Sequence, residues 1–389
     1  MTRAPRTIAD LSETQRERFA RQITLTGFGP EAQLRLLRAR VLVVGAGGLG
    51  SPVLQYLAAA GVGEIHVVDD DVVDRSNLHR QVIHAEADLG RPKTASAAET
   101  VRGLHPEARV VEHTVRLTSQ NALGLVRAVD LVVDGADTYA TRYLVADACE
   151  IAGVPVVWGA ILRFAGQVGV FAPGGPLYRD VFPEEPEPGA VPTCAEAGVL
   201  GVLPGIVGSL MAAEAVKVLT GIGRTLAGRL LCVDALTMRF TELAVVADPA
   251  RTPVTDLAEH AAREAPGQAG CAVGCTVGAA LADGEVDAAG LAALIAASTD
   301  DDVGRLRLLD VREDAERLLG VIEPSDHVPL AEVLADPASH VPGEGERLVL
   351  YCAGGVRSAQ AREAILAVAP GAADRVLSLA GGMSAWSAR

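Results

Sequence analysis

Val41-Leu-Val-Val-Gly45-Ala-Gly47-Gly48-Leu-Gly50 decides how the first half of this chain is read. Four aliphatic residues in a row predict a buried strand. The G-x-G-x-x-G behind them predicts a tight turn into a helix. Gly45 permits the turn, Gly47 lets the backbone approach a phosphate or ribose, and Gly50 lets the helix pack close to the sheet. The next apolar run, Ile65–Val68, ends in Asp69-Asp70-Asp71, and its first carboxylate is placed to hold ribose hydroxyls.

Outward from this motif, apolar runs keep alternating with helical patterns. Candidate strands are Val41–Val44, Ile65–Val68, Val110–Glu112, Leu131–Asp134, Val154–Trp158, Gln167–Ala172 and Leu230–Asp234. The alternation predicts an α/β domain with a largely parallel sheet, preceded by a polar, helical segment from Met1 to Arg40. Six prolines and a run of acidic residues between Pro173 and Pro192 predict a long, mobile surface loop. Asp248 to Val277, rich in Pro, Ala and Gly, reads as a linker. A smaller α/β domain follows, with Leu306–Asp310 and Leu348–Tyr351 as central strands. The expected organisation is a domain over 1–250, a linker over 251–277 and a second domain over 278–389.

Composition narrows the function. A net charge of -15 argues against general affinity for nucleic acid or an anionic membrane. The longest apolar stretch, Gly198–Ala213, is broken by Pro204 and several glycines, so it reads as a buried helix with its approach. Met1 to Arg21 is too polar for a signal segment. The six Cys lack a disulfide-framework spacing, which fits a reducing cytoplasm. Cys149 and Cys232 sit in apolar runs and read as packing residues.

A glycine turn with an acidic strand end also serves nicotinamide enzymes. The polar residues beyond the second strand tip the balance toward a triphosphate. Asn77-Leu-His-Arg80-Gln81 comes soon after Asp71, then Gly90-Arg-Pro-Lys93. Hydride transfer needs no such convergence of Asn, Arg and Lys, whereas β- and γ-phosphates leaving as pyrophosphate do. Val132-Val-Asp134-Gly-Ala-Asp137 ends another strand in carboxylates, and Asp137 is suited to Mg²⁺ shared with phosphates. Near the C-terminus, Cys352-Ala-Gly-Gly-Val-Arg357 lies between a strand-like run and a helical one from Ser358 to Val368. Backbone N–H groups curling around the sulfur, the helix N-terminus and Arg357 would favour a thiolate able to carry a persulfide.

Together these residues resemble the MoeB/ThiF family, prokaryotic relatives of ubiquitin-activating E1 enzymes. The resemblance runs from Arg18-Phe-Ala-Arg21 to about Val246. It includes Gly45–Gly50, Asp69-x-Asp71, Ser76-Asn-Leu-His-Arg80-Gln, Gly90-x-Pro-Lys93, Asp137 with Arg142, and Thr193-Cys194-Ala-Glu196. It implies a Rossmann-like adenylation domain that activates the C-terminal Gly-Gly carboxylate of a ubiquitin-fold sulfur carrier with ATP and Mg²⁺. By the resemblance, Gly45, Gly47, Gly48, Gly50, Asp69 and Asp71 line the nucleotide, and Asn77, Arg80 and Lys93 hold phosphates. Asp137 sits at the α-phosphate and Mg²⁺. Arg21 reaches the site of a second subunit, which implies a homodimer, and Cys194 is a further catalytic thiol.

Two departures stand out. Many relatives carry two C-x-x-C pairs that bind a structural zinc. Here those positions read Leu177-Tyr-Arg-Asp180 and Pro249-Ala-Arg-Thr-Pro253, and Cys271 and Cys275 form a lone pair, so no zinc is expected. Thr138 stands where the family usually has Asn, which touches the positioning of ATP. Residues 278–389 resemble the rhodanese fold, with four residues between Cys352 and Arg357, a ring suited to sulfane sulfur rather than phosphate. Asp310 and Arg312 read there as structural. The combination resembles MoeZ-type adenylyltransferase/sulfurtransferases. It implies a persulfide on Cys352, loaded by a cysteine desulfurase or thiosulfate, that turns the adenylated carrier into a thiocarboxylate. The alternatives are an E1-like enzyme of tRNA modification, and a nicotinamide oxidoreductase fused to a sulfurtransferase.

Overall fold

The computed structural model describes residues 7–186, 197–264, 284–298, 305–387 and 389. The chain divides into two compact units, Met1–Ala269 and Gly270–Arg389. The first is built on eight strands: β1 (Arg40–Val44), β2 (Glu64–Val68), β3 (Arg109–His113), β4 (Leu131–Asp134), β5 (Val156–Leu162), β6 (Ala165–Phe171), β7 (Arg229–Asp234) and β8 (Arg239–Ala244). Their order is β3-β2-β1-β4-β5-β6-β7-β8. The pairs from β3 across to β5 are parallel, and those from β5 across to β8 are antiparallel.

Val41, Leu42 and Val43 are fully buried because helices cover both faces of β1. Strand order reverses between β1 and β4. A crevice at the carboxyl ends of the strands is expected at such a point, where Gly45 and Asp69 directly follow β1 and β2 and Asp134 ends β4. The helix Gly50–Ala60 packs against the helix Leu203–Thr220 so closely that a Cβ on Gly208 would lie 2.4 Å from Pro52 Cγ. The second helix is long and apolar enough to cross a membrane, but its apolar residues Val207, Met211 and Ala215 are buried in the core of this unit. Buried Glu214 on the same helix accepts the Leu226 N–H at 2.8 Å.

The stretch expected to be a mobile loop from Pro173 is ordered as far as it is described. It forms a short helix, Tyr178–Val181, and Tyr178 is buried. The Tyr178 ring packs on Trp158, Phe171, Tyr143 and Phe182 at centroid distances of 5.5, 5.6, 5.1 and 4.9 Å. Aromatic anchoring of this kind outweighs the prolines in the local pattern. Cys194, Cys271 and Cys275 lie outside the described residues.

The stretch read as a linker is pinned to the first unit through Glu264. Arg251 bridges Glu150, at 3.0 and 3.1 Å, and Asp180, at 3.0 Å. His260 Nε2 meets Asp147 Oδ2 at 2.7 Å, and Arg179 grips the same carboxylate with two bonds of 2.7 Å. Leu177–Asp180 and Pro249–Pro253, where the resemblance would put cysteine pairs, are joined by the Arg251 guanidinium on Asp180.

The second unit is a five-stranded parallel sheet: β9 (Glu285–Val286), β10 (Leu306–Asp310), β11 (Asp326–His327), β12 (Arg347–Tyr351) and β13 (Val376–Leu379), in the order β11-β10-β12-β13-β9. One face buries Leu309, Leu350, Cys352, Ala361 and Ile365, and the other buries Leu308, Val349, Tyr351 and Leu291. The helix Val356–Val368 begins two residues earlier than the sequence suggested, directly behind Gly355.

Candidate active sites

The glycine turn at the end of β1 is held by its neighbours on both sides. Gly45 has φ +85°, a left-handed conformation that favours glycine. A Cβ on Gly50 would stand 1.9 Å from the Gly45 carbonyl oxygen, so only glycine fits there. The Ala46 N–H donates to Asp69 Oδ2 at 2.8 Å, and the Asp71 N–H donates to Asp69 Oδ1 at 2.9 Å. Burial raises the Asp69 carboxyl above its ordinary value, and Lys93 and these two donors pull it partly back. On the other side, His84 Nε2 lies 2.9 Å from the Ala46 carbonyl, and its Nδ1 lies 2.8 Å from Ser96 Oγ. Burial lowers the His84 pKa, and Nε2, facing a carbonyl oxygen, is the donor to it.

The phosphate residues expected from the sequence flank this turn. Buried Lys93 extends its ammonium to Asp71 Oδ2 at 2.8 Å. Arg80 donates to the Ser76 carbonyl at 3.1 Å and meets His79 Nε2 at 2.8 Å. Asn77 donates to Ser76 Oγ at 3.0 Å. Asp69, Asp70 and Asp71 can each place an oxygen within 4.8 Å of the others, an all-oxygen set that fits a hard divalent cation.

Beyond β4, the Gly135 N–H donates to the Val44 carbonyl at 3.0 Å, and a Cβ there would lie 3.3 Å from the Gly50 nitrogen. The stretch Gly135–Asp137 therefore lies against the glycine turn, and Asp137 is exposed. Asp134 is buried and raised to about 6 by burial, although it accepts the Ala136 N–H at 2.9 Å. Arg142 is structural: it donates to the Ala136 carbonyl at 3.0 Å and lies over the Tyr139 ring. Thr138 caps the helix Tyr139–Ala152 by accepting the Thr141 N–H at 3.3 Å.

Arg21 is not brought to this cradle within its own chain. Phe19, two residues before it, packs in a cluster with Leu11, Leu34 and Leu37, and Gln22 donates to the Ala60 carbonyl at 3.1 Å. Ala60 ends the helix that starts at Gly50, so exposed Arg21 sits about a helix length, ~15 Å, from the glycine turn.

In the second unit, Cys352 directly follows β12 and its sulfur is buried. The Gly355 N–H donates to Sγ at 3.1 Å, and Ser358 Oγ lies 3.6 Å away. Gly355, at φ +98°, bends the loop into the helix N-terminus. The Met383 and Ser384 N–H groups hold the carbonyls of Cys352 and Ala353 at 2.8 and 3.0 Å. Arg357, expected to put positive charge on the sulfur, forms a two-bond pair with Glu316 at 2.6 and 2.7 Å. That carboxylate offsets its charge. Asp310 and Arg312 form a buried pair at 2.7 and 2.9 Å with Arg312 over Tyr351, so both support the strand end.

Sequence reasoning assigned no role to His84, Ser96 or Glu316. His84 was visible only as a residue four positions beyond Arg80, and Glu316 lies 41 residues from its partner.

Residues 19–253 match the ThiF family, and residues 291–389 match the rhodanese-like domain. The probable adenylyltransferase/sulfurtransferase MoeZ of Mycobacterium tuberculosis is 43% identical over 385 residues, covering 97% of this chain and 94% of that protein. The sulfur carrier protein adenylyltransferase of Thermus thermophilus is 57% identical over 244 residues, 61% of this chain and 90% of that protein. Among solved structures, E. coli MccB with MccA-N7isoASN superposes with a TM-score of 0.56 at 21% identity, over 63% of this chain and 76% of that one. That likeness speaks to the fold.

Proposed function

The chain belongs to the ThiF family and ends in a rhodanese-like domain, which makes it an adenylyltransferase and sulfurtransferase, and from that premise we propose how the two units divide the work. The first unit uses ATP to adenylate the C-terminal Gly-Gly carboxylate of a ubiquitin-fold sulfur carrier. A carboxylate oxygen attacks the α-phosphorus and pyrophosphate leaves. The product is a mixed anhydride with AMP as its leaving group, which a free carboxylate lacks.

Asp69 takes the ribose hydroxyls. Lys93 exchanges Asp71 for the phosphates, which Arg80 and Asn77 also hold, so charge developing on pyrophosphate meets fixed donors. Asp137, exposed beside the glycine turn, is suited to hold Mg²⁺, which would supply further charge neutralisation there. Arg21 completes the site of a second subunit in a homodimer. We assign the protein to the cytoplasm, with no nucleic-acid or membrane partner and no structural zinc.

In the second unit, Cys352 accepts a sulfane sulfur from a cysteine desulfurase or thiosulfate. The terminal sulfur of Cys352–S–SH attacks the acyl carbon, AMP leaves, and an acyl disulfide forms. Attack of the Cys194 thiolate on the Cys352 sulfur then releases the carrier thiocarboxylate and leaves a Cys194–Cys352 disulfide. An external thiol reduces that disulfide.

The observation that carries this reading is the Gly355 N–H aimed at the Cys352 sulfur, in the same chain as the glycine turn with Asp69 and Lys93. Two variants test the division of labour. Cys352→Ala should keep carrier-dependent ATP–pyrophosphate exchange and lose thiosulfate-to-cyanide sulfur transfer. Asp137→Ala should do the reverse. Loss of both activities in either variant would refute the division.

A further inference from the structure

We propose that Gln81 is a substrate-binding residue of the adenylation site and that its side-chain carbonyl accepts the backbone N–H of the carrier's terminal glycine. This rests on the adenylation reading above and deepens it. Gln81 is 5% exposed, yet its Oε1 has no hydrogen-bond partner among the described residues. A buried acceptor left unpaired is costly, and one packed against the glycine turn is explained by a donor that arrives with substrate.

The placement is specific. The backbone of residues 80–81 packs on the glycine turn. Gln81 Nε2 lies 3.5 Å from where a Cβ on Gly47 would stand, and the Arg80 carbonyl oxygen lies 3.7 Å from the same point on Gly48. The peptide is fixed in place, because the Gln81 N–H donates to the Asn77 carbonyl at 2.9 Å and its own carbonyl accepts the His84 N–H at 3.1 Å. The carboxamide is therefore held against the glycine turn.

The chemistry of the substrates selects the donor. A phosphate chain offers acceptors and no donor. The ribose hydroxyls have Asp69. The carrier's tail enters extended, with backbone N–H groups that lose water as they enter, and the last of these is three bonds from the attacking carboxylate oxygen. A carboxamide against Gly47 can accept that N–H through Oε1 while Nε2 faces the phosphates. It would fix the carboxylate relative to the α-phosphorus, and alignment of that kind raises the rate of a two-substrate reaction.

The test is a cycle with one chemical change on each side. A ubiquitin-fold carrier is ligated to a synthetic tail ending either in glycine or in sarcosine, its N-methyl analogue, which lacks the N–H. Carrier-dependent ATP–pyrophosphate exchange is measured for wild type, Gln81→Met and Gln81→Glu. The wild type should lose about ten-fold in kcat/KM for the carrier when the N–H is methylated. Gln81→Met, similar in shape without an acceptor, should start about ten-fold lower with the glycine tail and lose less than two-fold more with sarcosine. Gln81→Glu keeps an acceptor and should keep the sensitivity to methylation, which also serves if the Met variant does not fold.

Equal losses in wild type and Gln81→Met, an insensitive wild type, an insensitive Gln81→Glu, or a Met variant changed only in its KM for ATP would each overturn the assignment. No exchange by the wild type with the glycine tail would instead overturn the proposed function, and this inference with it.

Discussion

Replacing Arg251 with Met should destabilise the first unit by about 3 kcal/mol, because it strands two buried carboxylates. The Arg251 guanidinium lies between Glu150 and Asp180, whose side chains are 10% and 3% exposed. Each carboxylate would keep some support. Asp180 would still accept the Leu177 and Asp248 N–H groups, and Glu150 the Val254 N–H at 3.1 Å. That places the loss at the low end of the range for breaking a buried pair, about 3–5 kcal/mol. For a unit of this size it lowers Tm by roughly 6–12 °C.

Trp158 reports the transition, because its ring packs on Tyr178 and Phe182 beside the bridge. The assay is thermal unfolding of the full chain by Trp158 fluorescence, with Trp386→Phe as background. Burial alone would raise the Asp180 carboxyl, but its backbone donors and Arg251 hold it below its ordinary value. Its contribution is therefore present above about pH 4 and lost as pH falls through its lowered pKa. The deficit of the variant should be full at pH 7 and shrink in acid. A Tm within about 2 °C of wild type at pH 7, well short of the expected drop, would refute the idea that this guanidinium clasps the two stretches.

Three further outcomes rest on the same geometry. Asp134→Asn should stabilise the protein at pH 7.5 by about 1–3 kcal/mol and be neutral near pH 4. The sign comes from burial raising Asp134 to about 6, so that ionising it between its unfolded pKa and 6 costs the folded state, while Asn can still accept the Ala136 N–H. Stabilisation at pH 4 equal to that at 7.5, in denaturant titrations, would contradict this. Prolonged chelation should leave Tm within 1 °C, since Arg251 joins the two stretches without metal; chelation that lowered Tm by several degrees would reveal a structural ion. Asp71→Asn should weaken ATP binding less than Lys93→Met, measured by calorimetry, because Lys93 exchanges Asp71 for phosphate and the carboxylate competes with it.

What the sequence disclosed depended on how local the information was. The glycine turn, the carboxylates ending β2 and the Cys352 loop were legible because their contacts lie within a few residues. The Gly355 N–H reaches the sulfur from three positions away. The parallel core was legible because β1 and β4 are buried on both faces and read as unbroken aliphatic runs. β8 escaped notice because its residues are mostly exposed and mix charge with apolar side chains. β9 and β11 are two residues each and carry no period.

The pinned stretch 248–264 read as a linker because its anchors are remote. Arg251 meets Glu150 across 101 residues, and His260 meets Asp147 across 113. Arg357 was assigned to the sulfur because of its place in the loop, and the carboxylate that pairs with it lies 41 residues away. Long-range ion pairs are invisible to periodicity, and here they tie distant stretches of the fold together.

The central claim is that an acyl adenylate made by one unit receives sulfur from Cys352 in the other. Its most direct test is the intact mass of the carrier after incubation with the full chain, ATP, Mg²⁺ and a sulfane-sulfur donor. The account predicts that wild type shifts the carrier by the exchange of one oxygen for one sulfur. Cys352→Ala should leave the carrier mass unchanged while still releasing pyrophosphate. A carrier that gained sulfur with the alanine variant, or never gained it with a wild type that makes the adenylate, would contradict the claim.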